Sequence, residues 1–436
     1  MFKKSCVALA AVLLVASGLW ANGLNLNGFG ARATAMGGAY VGLADDYTAV
    51  FWNPAGLALI QKPVFGLTGD FLLPTSHYTL DDFSMTTNNK MYPAGLLGYF
   101  RPVSDKVVVG VGVYTLSGLG QDWNNTGLEA ALSPVPGSLF TPPVENYRWR
   151  SFIGSITIAP SVAIKLSDKF FFGATLNINY GFFKTDQWGE ALVISQKPFF
   201  AVNFGQASMD VKGWGFGGTV GILAKPSDRI SLGVTYRLQS KLKMSGTSSI
   251  ENFPFLDPDL PDTSPAELEA ISPMWLAGGV AVKPGKNLTL TFDLQWTNWT
   301  KLDTLTVKFT DPDWIDFGNE EQTLELLWKD KIQIRFGAEY TMGNFAIRGG
   351  YYYDPAPGPD ETMNVLIPGF TYNSVAFGLG YKKGGLNLDF ALEYLMGQDR
   401  TIEPAYNDAF PPELRNMPGL YQMNIVVPIF SVSYAF

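Results

Sequence analysis

The sequence predicts an all-β chain: a 14-stranded antiparallel transmembrane β-barrel with an N-terminal segment filling its lumen. Three observations carry the prediction. Apolar and polar residues alternate over segments that often run nine residues or more, as tilted membrane strands require. The connections between those segments alternate between short and long. The chain ends on an alternating aromatic strand whose last residue is Phe436.

The first element is a processing signal. Lys3 and Lys4 precede an almost unbroken apolar run from Cys6 to Leu19, and small Ala21 is followed by polar Asn22. The run is too short to cross a bilayer as a helix and has the layout of a secretory signal peptide, so residues 1–21 are expected to be cleaved. Cys6 precedes the run, whereas a lipoprotein cysteine would follow it, so lipidation is not expected. Without the signal the chain has no cysteine, and its 29 basic and 39 acidic residues take the net charge from −8 to −10. Disulfide frameworks, zinc–cysteine sites and thiol nucleophiles are excluded. An acidic exported chain is a poor partner for nucleic acid. No later stretch reaches roughly 18 apolar residues, so no transmembrane helix is expected.

The second element, residues 22–62, is dense in small residues and lacks sustained alternation. Gly28-Phe29-Gly30 invites a nucleotide-loop reading, but no strand precedes it and the spacing is incomplete. A compact segment beside a wide barrel is better explained as a plug, because such a barrel otherwise leaves an aqueous channel.

The third element, residues 63–436, carries the barrel. Leu386, Leu388, Phe390, Leu392 and Tyr394 alternate with Asn387, Asp389, Ala391 and Glu393, and Lys382-Lys383-Gly384-Gly385 joins this segment to its predecessor as a hairpin. Ile332–Tyr340 and Leu288–Trp296 repeat the pattern. A soluble sandwich alternates too, but its strands commonly run about five or six residues. Aromatics at segment ends, among them Tyr180, Tyr236, Trp296, Tyr340, Tyr381 and Tyr394, sit where interfacial girdles would place them. Fourteen segments result: 63–72, 93–102, 106–116, 151–166, 169–183, 209–225, 228–243, 273–284, 286–299, 326–341, 344–354, 371–382, 385–396 and 424–436. Short connections near 103–105, 167–168, 226–227, 285, 342–343 and 383–384 read as periplasmic turns. Long ones near 73–92, 117–150, 184–208, 244–272, 300–325, 355–370 and 397–423 read as extracellular loops. The terminal aromatic resembles the signal that barrel-assembly machinery reads in outer-membrane proteins, which makes that machinery an expected partner during biogenesis.

Gly37-Gly38-Ala39-Tyr40, then Ala44-Asp45-Asp46, then Trp52-Asn53-Pro54-Ala55-Gly56-Leu57 together resemble the N-terminal hatch of the FadL/TodX family. These are outer-membrane transporters of long-chain fatty acids and aromatic hydrocarbons in Gram-negative cells. Asn53, Pro54 and Ala55 are the most specific match. The resemblance implies a passive route: capture of a hydrophobic molecule among the extracellular loops, binding in the lumen, a hatch shift, and sideways release through a gap where the third strand kinks inward. It implies outer-membrane lipid and lipopolysaccharide as surroundings and no cofactor.

Individual residues are read against that route. Gly110, Gly112, Gly118 and Gly120 could weaken the third strand, or could make room for the plug. Leu192, Phe199, Phe200 and Phe204 make the 184–208 loop unusually apolar, as a capture surface would be. Ser264-Pro265-Ala266-Glu267 reads as a capping box opening a short helix. A fatty-acid carboxylate would need a cation in a mostly dry pocket; Arg237, Lys241 and Arg335 are candidates on lumenal faces, and Arg348 is a further one. If none is free, a neutral hydrocarbon is the better cargo. Enzyme readings find little support: the one histidine, His77, is placed in a loop, and no metal-ligand spacing occurs. The rival reading is a general diffusion porin, which would lack a plug.

Overall fold

The computed structural model describes residues 26–88, 90–124, 127–137, 147–193, 200–251, 259–316, 320–408 and 412–436. The expected signal peptide and Phe199 lie outside them. Fourteen long strands form the wall: β1 (Val64–Leu80), β2 (Tyr92–Pro102), β3 (Val107–Asp122), β4 (Arg150–Lys165), β5 (Phe170–Val193), β6 (Phe200–Ser227), β7 (Ile230–Arg237 continued by Ser240–Ile250), β8 (Thr263–Ser272 continued by Trp275–Val282), β9 (Leu288–Thr297), β10 (Lys331–Met342), β11 (Phe345–Asp354), β12 (Tyr372–Lys383), β13 (Leu386–Gly397) and β14 (Gly419–Ala435). Each pairs antiparallel with the next. β14 then pairs with β1 from Val64↔Ala435 to Thr79↔Leu420, which closes the barrel.

The side chains follow the period-two pattern, but the usual sense of burial is inverted. On β10, Ile332, Phe336 and Tyr340 are 42–43% exposed, while Gln333, Arg335 and Glu339 on the other face are at most 6% exposed. Apolar side chains point outward around the ring, as in Leu67, Phe216, Phe377 and Phe430. Water would penalise so large a continuous apolar band, whereas hydrocarbon favours it. On the short-turn side β10–β11 and β12–β13 join through two residues each, with Gly343 and Gly384 at a φ of 60° that suits tight hairpins.

The strands extend well beyond the expected segments on the long-loop side. β5 runs to Val193 rather than 183, and much of 73–92, 184–208 and 244–272 is ladder, not loop. Above the bilayer neither face meets lipid, so the apolar alternation that defined the segments fades while the hydrogen bonding continues. Two expectations are corrected by this. Ser264-Pro265-Ala266-Glu267 lies in β8, where Ser264, Ala266, Leu268 and Ala270 alternate inward; the capping-box spacing coincides with strand periodicity. His77 lies exposed on β1, not in a loop.

Residues 26–60 occupy the inside of the ring as two short helices (Ala31–Ala35 and Ala49–Trp52) and a 3₁₀ turn (Pro54–Leu59). Above them lies a second apolar core built from inward residues of the strands and from the connection between β11 and β12. That connection was read as an extracellular loop, yet Val365, Ile367 and Phe370 are buried inside.

Candidate functional site

The lumen is organised around how closely the N-terminal segment approaches the wall. Several strands present a glycine where the segment's backbone passes. A Cβ on Gly350 would lie 1.9 Å from Gly37 N, one on Gly233 2.0 Å from Val41 O, and one on Gly221 2.1 Å from Asn53 Oδ1. None could be accommodated without displacing backbone or a tightly held side chain, so these wall glycines form a mould for the segment.

Asn53-Pro54-Ala55 sits at the centre of that fit. Asn53 is fully buried. Its Oδ1 accepts from Ala55 N at 3.2 Å, capping the 3₁₀ turn, and its Nδ2 donates to Val41 O at 3.0 Å and to Ile222 O on β6 at 3.1 Å. Pro54 opens the turn where no N–H partner is needed. Ala55 packs against Phe171 and Leu223 of the wall. The segment is also held by charge. Arg32 forms a two-pronged pair with Glu339 on β10 (2.8 and 2.9 Å), and Arg348 shares that carboxylate at 2.7 Å while reaching Asp389 at 2.7 Å. Asp45 holds the other side of Arg32, and burial keeps the Asp46 carboxyl above its ordinary range. Val41 N donates to Asp293 at 2.6 Å.

The four candidate cations separate sharply. Arg348 is consumed by Glu339 and Asp389. Arg335 donates to the Asn27 carbonyl (2.7 Å) and to Gln333 (2.6 Å) and lies over the Trp52 and Tyr352 rings. Lys241 is not lumenal: residues 238–239 interrupt β7 after Arg237, the register slips by one, and Lys241 faces outward against Glu269 of β8. A one-residue slip reverses every side chain beyond it.

Arg335 and Arg237 are both 2% exposed, neither makes an ion pair among the described residues, and each leaves one buried nitrogen without a partner. Arg335 nevertheless has the carboxylates of Asp293, Asp354 and Glu393 acting on its charge, whereas among the described residues Arg237 has the Tyr114 hydroxyl alone. In Arg237, Nε donates to Thr219 Oγ1 (3.2 Å), and Nη2 to Phe51 O (3.1 Å) and the Tyr114 hydroxyl (3.4 Å). The guanidinium lies 4.8 Å from the Phe51 ring centroid, 4.9 Å from Trp275 and 5.7 Å from Tyr114. Nη1 is buried without a partner. A buried arginine without a counter-charge is costly. This one stands where the aromatic top of the N-terminal segment meets the upper apolar core. Sequence reasoning found Arg237 but not its cage, because Phe51, Tyr114 and Trp275 come from distant points of the chain.

Beside that cage the wall breaks. β2 and β3 pair from Pro102↔Val108 up to Leu96↔Tyr114 and then separate. Pro93 on β2 has no N–H to offer the ladder. On the other edge, β3 keeps its pairing with β4 through a register shift between Thr115 and Ser117, with Leu116 the extra residue. Contact resumes higher up, at Thr87↔Trp123 and in Asn88 N donating to Asp122 O at 2.7 Å. A cavity of ≈ 30 Å³ beside the bulge is lined by lumenal Ile153, Leu242, Met244 and Trp299 together with outward Phe182 and Ile271.

The four candidate glycines divide accordingly. Gly110 lies in regular ladder and Gly112 makes room for Val50 of the N-terminal segment. Beyond the Leu116 bulge the faces of β3 reverse, so Gly118 and Gly120 stand on the outward face: a Cβ on Gly118 would meet nothing within 4 Å, and Gly120 lies under the Tyr92 ring. Of the expected capture residues, Leu192, Phe200 and Phe204 fall in β5 and β6, which replace the apolar loop with a ladder. Sequence reasoning also missed the β11–β12 connection. Its carbonyls at Val365 and Leu366 accept from Trp123 of β3's end and from Ser151 of β4 above the break. The run Val365-Leu366-Ile367 was a readable signal for burial.

The family model described as outer membrane protein transport protein (OMPP1/FadL/TodX) matches residues 7–436. The chain is 24% identical over 431 residues to the long-chain fatty acid transport protein of Salmonella typhi, covering 92% of this chain and 93% of that one. The solved structure of a Pseudomonas aeruginosa FadL homologue superposes with a TM-score of 0.79 at 18% identity, covering 95% and 100% of the two chains. The Ralstonia pickettii toluene transporter TbuX superposes at 0.69 with 18% identity over 94% and 99%.

Proposed function

The chain belongs to the outer membrane protein transport family OMPP1/FadL/TodX, and we propose that this member carries hydrophobic molecules that end in a carboxylate. It is an outer-membrane β-barrel of a transport family. The cargo follows from Arg237, whose uncompensated buried charge supports an anionic head, while the apolar core above supports a long hydrocarbon tail. A neutral hydrocarbon would leave that charge unanswered. An open diffusion pore finds no support, because residues 26–60 fill the section it would need.

The route joins the three features. A tail enters the upper core by displacing the Val365–Ile367 connection, and its carboxylate takes the free face of Arg237. Arg237 also donates to the Phe51 carbonyl, so a bound carboxylate competes for that donor and loosens helix Ala49–Trp52. Residues 22–62 thus act as a hatch. Tyr114 is both a ligand of Arg237 and the last rung before the break, which makes the β2–β3 gap the exit supported by position. Asn53, Pro54 and Ala55 hold the hatch, and Gly118 keeps the gap clear. Arg335 serves the hatch rather than the cargo.

Binding of a long-chain fatty acid, its alcohol and the matching alkane to purified Arg237→Gln tests the cargo. A charge-assisted bond contributes about 1.5–3 kcal/mol, so the acid is expected to bind about 10- to 100-fold more weakly while the alkane is unchanged. Arg237→Lys restores part of the difference. Equal losses for acid and alkane would sink the carboxylate reading.

A further inference from the structure

The outer surface of β5–β8 changes character sharply just above its apolar band. The band ends at the paired rings of Tyr180 and Trp214, whose centroids lie 4.8 Å apart, with Phe216 65% exposed below them. The strand registers place Tyr180, Trp214 and Lys243 opposite one another, and Phe182 and Lys212 one step higher, all on the outward face. Next comes Lys184, opposite Asp210.

The lysines are arranged in pairs around single carboxylates. Asp210 lies between Lys184 at 3.3 Å and Lys212 at 3.4 Å. Glu269 lies between Lys241 and Lys243, the latter at 4.0 Å. Higher on the same face Lys90, Arg148 and Arg150 share two carboxylates, Asp122 and Asp186. In the two lysine pairs, one acid per two cations keeps the side chains spaced without cancelling their charge. The four lysine side chains are 42–76% exposed, and surface ion pairs of this kind exchange partners at little cost.

We propose that this belt docks the phosphates of an outer-leaflet glycolipid, the phosphorylated lipid A headgroup of lipopolysaccharide. The position decides in favour of a lipid over a soluble anion. The cations begin within one or two residues of the lipid-facing rings, so one amphiphile can lay acyl chains on Phe216 and Trp214 while its phosphates reach Lys212, Lys184 and Lys243. Basic residues just outside the hydrocarbon boundary attract anionic headgroups in this way. The proposal rests on the outer-membrane location and not on the cargo.

The test uses the purified full-length mature barrel in phosphatidylethanolamine vesicles doped with bisphosphorylated, monophosphorylated or dephosphorylated lipid A, with lipid binding read by fluorescence. Binding is expected to follow phosphate number and to fall with salt. It should drop at least about tenfold in K184Q/K212Q/K243Q and persist in K184R/K212R/K243R. Ten millimolar inorganic phosphate should compete only weakly. Equal binding of dephosphorylated lipid, an unchanged Gln variant, or full displacement by inorganic phosphate would each overturn the proposal. The variants keep Arg237 and the lumen, so fatty-acid binding measured in the same vesicles separates this outcome from failure of the cargo reading. Retained heat-modifiable electrophoretic mobility confirms that each variant is folded.

Discussion

Asn53 satisfies three backbone groups with one side chain: the Ala55 N–H, the Val41 carbonyl and the Ile222 carbonyl. Removing it forfeits a helix cap and strands two buried acceptors, so Asn53→Ala is expected to destabilise the hatch by about 2–4 kcal/mol. Faster protease cleavage within residues 26–60 of the folded barrel measures it; unchanged cleavage would refute the anchoring role. Gly350 tests the mould from the other side, because a side chain there collides with Gly37 N, and Gly350→Val should release the hatch without touching it chemically. Asn53-Pro54-Ala55 stood out in the sequence through its resemblance to a family hatch; the cap and the buried carbonyls it serves became visible only with the wall strands around it. Arg237 was visible as a cation, but its lack of a partner depends on which strands stand beside it. Lys241 was misplaced because two residues, 238 and 239, break a strand whose composition gives no warning.

At the level of elements, β3 holds one neighbour and leaves the other. The break opens beyond Leu96↔Tyr114, with Pro93 on β2 and the extra residue Leu116 on β3 just above it, and a Cβ on Gly118 would meet nothing within 4 Å. Filling that space should seal the wall: Gly118→Trp is expected to retain fatty-acid binding in detergent yet reduce uptake by cells at least about tenfold, since the pocket is intact and the exit is not. Normal uptake would move the exit elsewhere. The glycines of β3 drew attention in the sequence, but glycine alone could not distinguish the two roles it plays, room for Val50 at Gly112 and emptiness at Gly118. Strand existence was readable from alternation wherever one face meets lipid. Strand length was not, because above the membrane both faces of β5 and β6 meet water or protein.

For the molecule as a whole, closure and filling are separate achievements. β14 completes the ring against β1 through backbone pairing of the wall itself, while Arg32–Glu339, Val41–Asp293 and the wall glycines fix what occupies it. Deleting residues 26–60 should therefore leave a folded barrel that conducts ions in a planar bilayer, with the intact protein silent under the same conditions. A silent deletion variant would mean that the upper core and the β11–β12 connection seal the pore unaided. The count of strands, the alternation of connections and the closed ring were all legible because a membrane imposes one repeating pattern on each crossing. The inward fold of the β11–β12 connection left only the short apolar run Val365-Leu366-Ile367 as a trace, since nothing periodic marks a segment whose partners are the ends of β3 and β4.

The paired strands β5 and β6 are 24 and 28 residues long. Counted from Trp214, the 14 residues back to Phe200 carry the ladder about 45 Å along the strand beyond the girdle. The ladder is unbroken except for a single register shift between Gly189 and Glu190. Such a hairpin stands proud of the membrane like a mast. An antibody, a phage or a protease approaching an intact cell meets it well before it meets the wall. Surface labelling of living cells should mark this hairpin first.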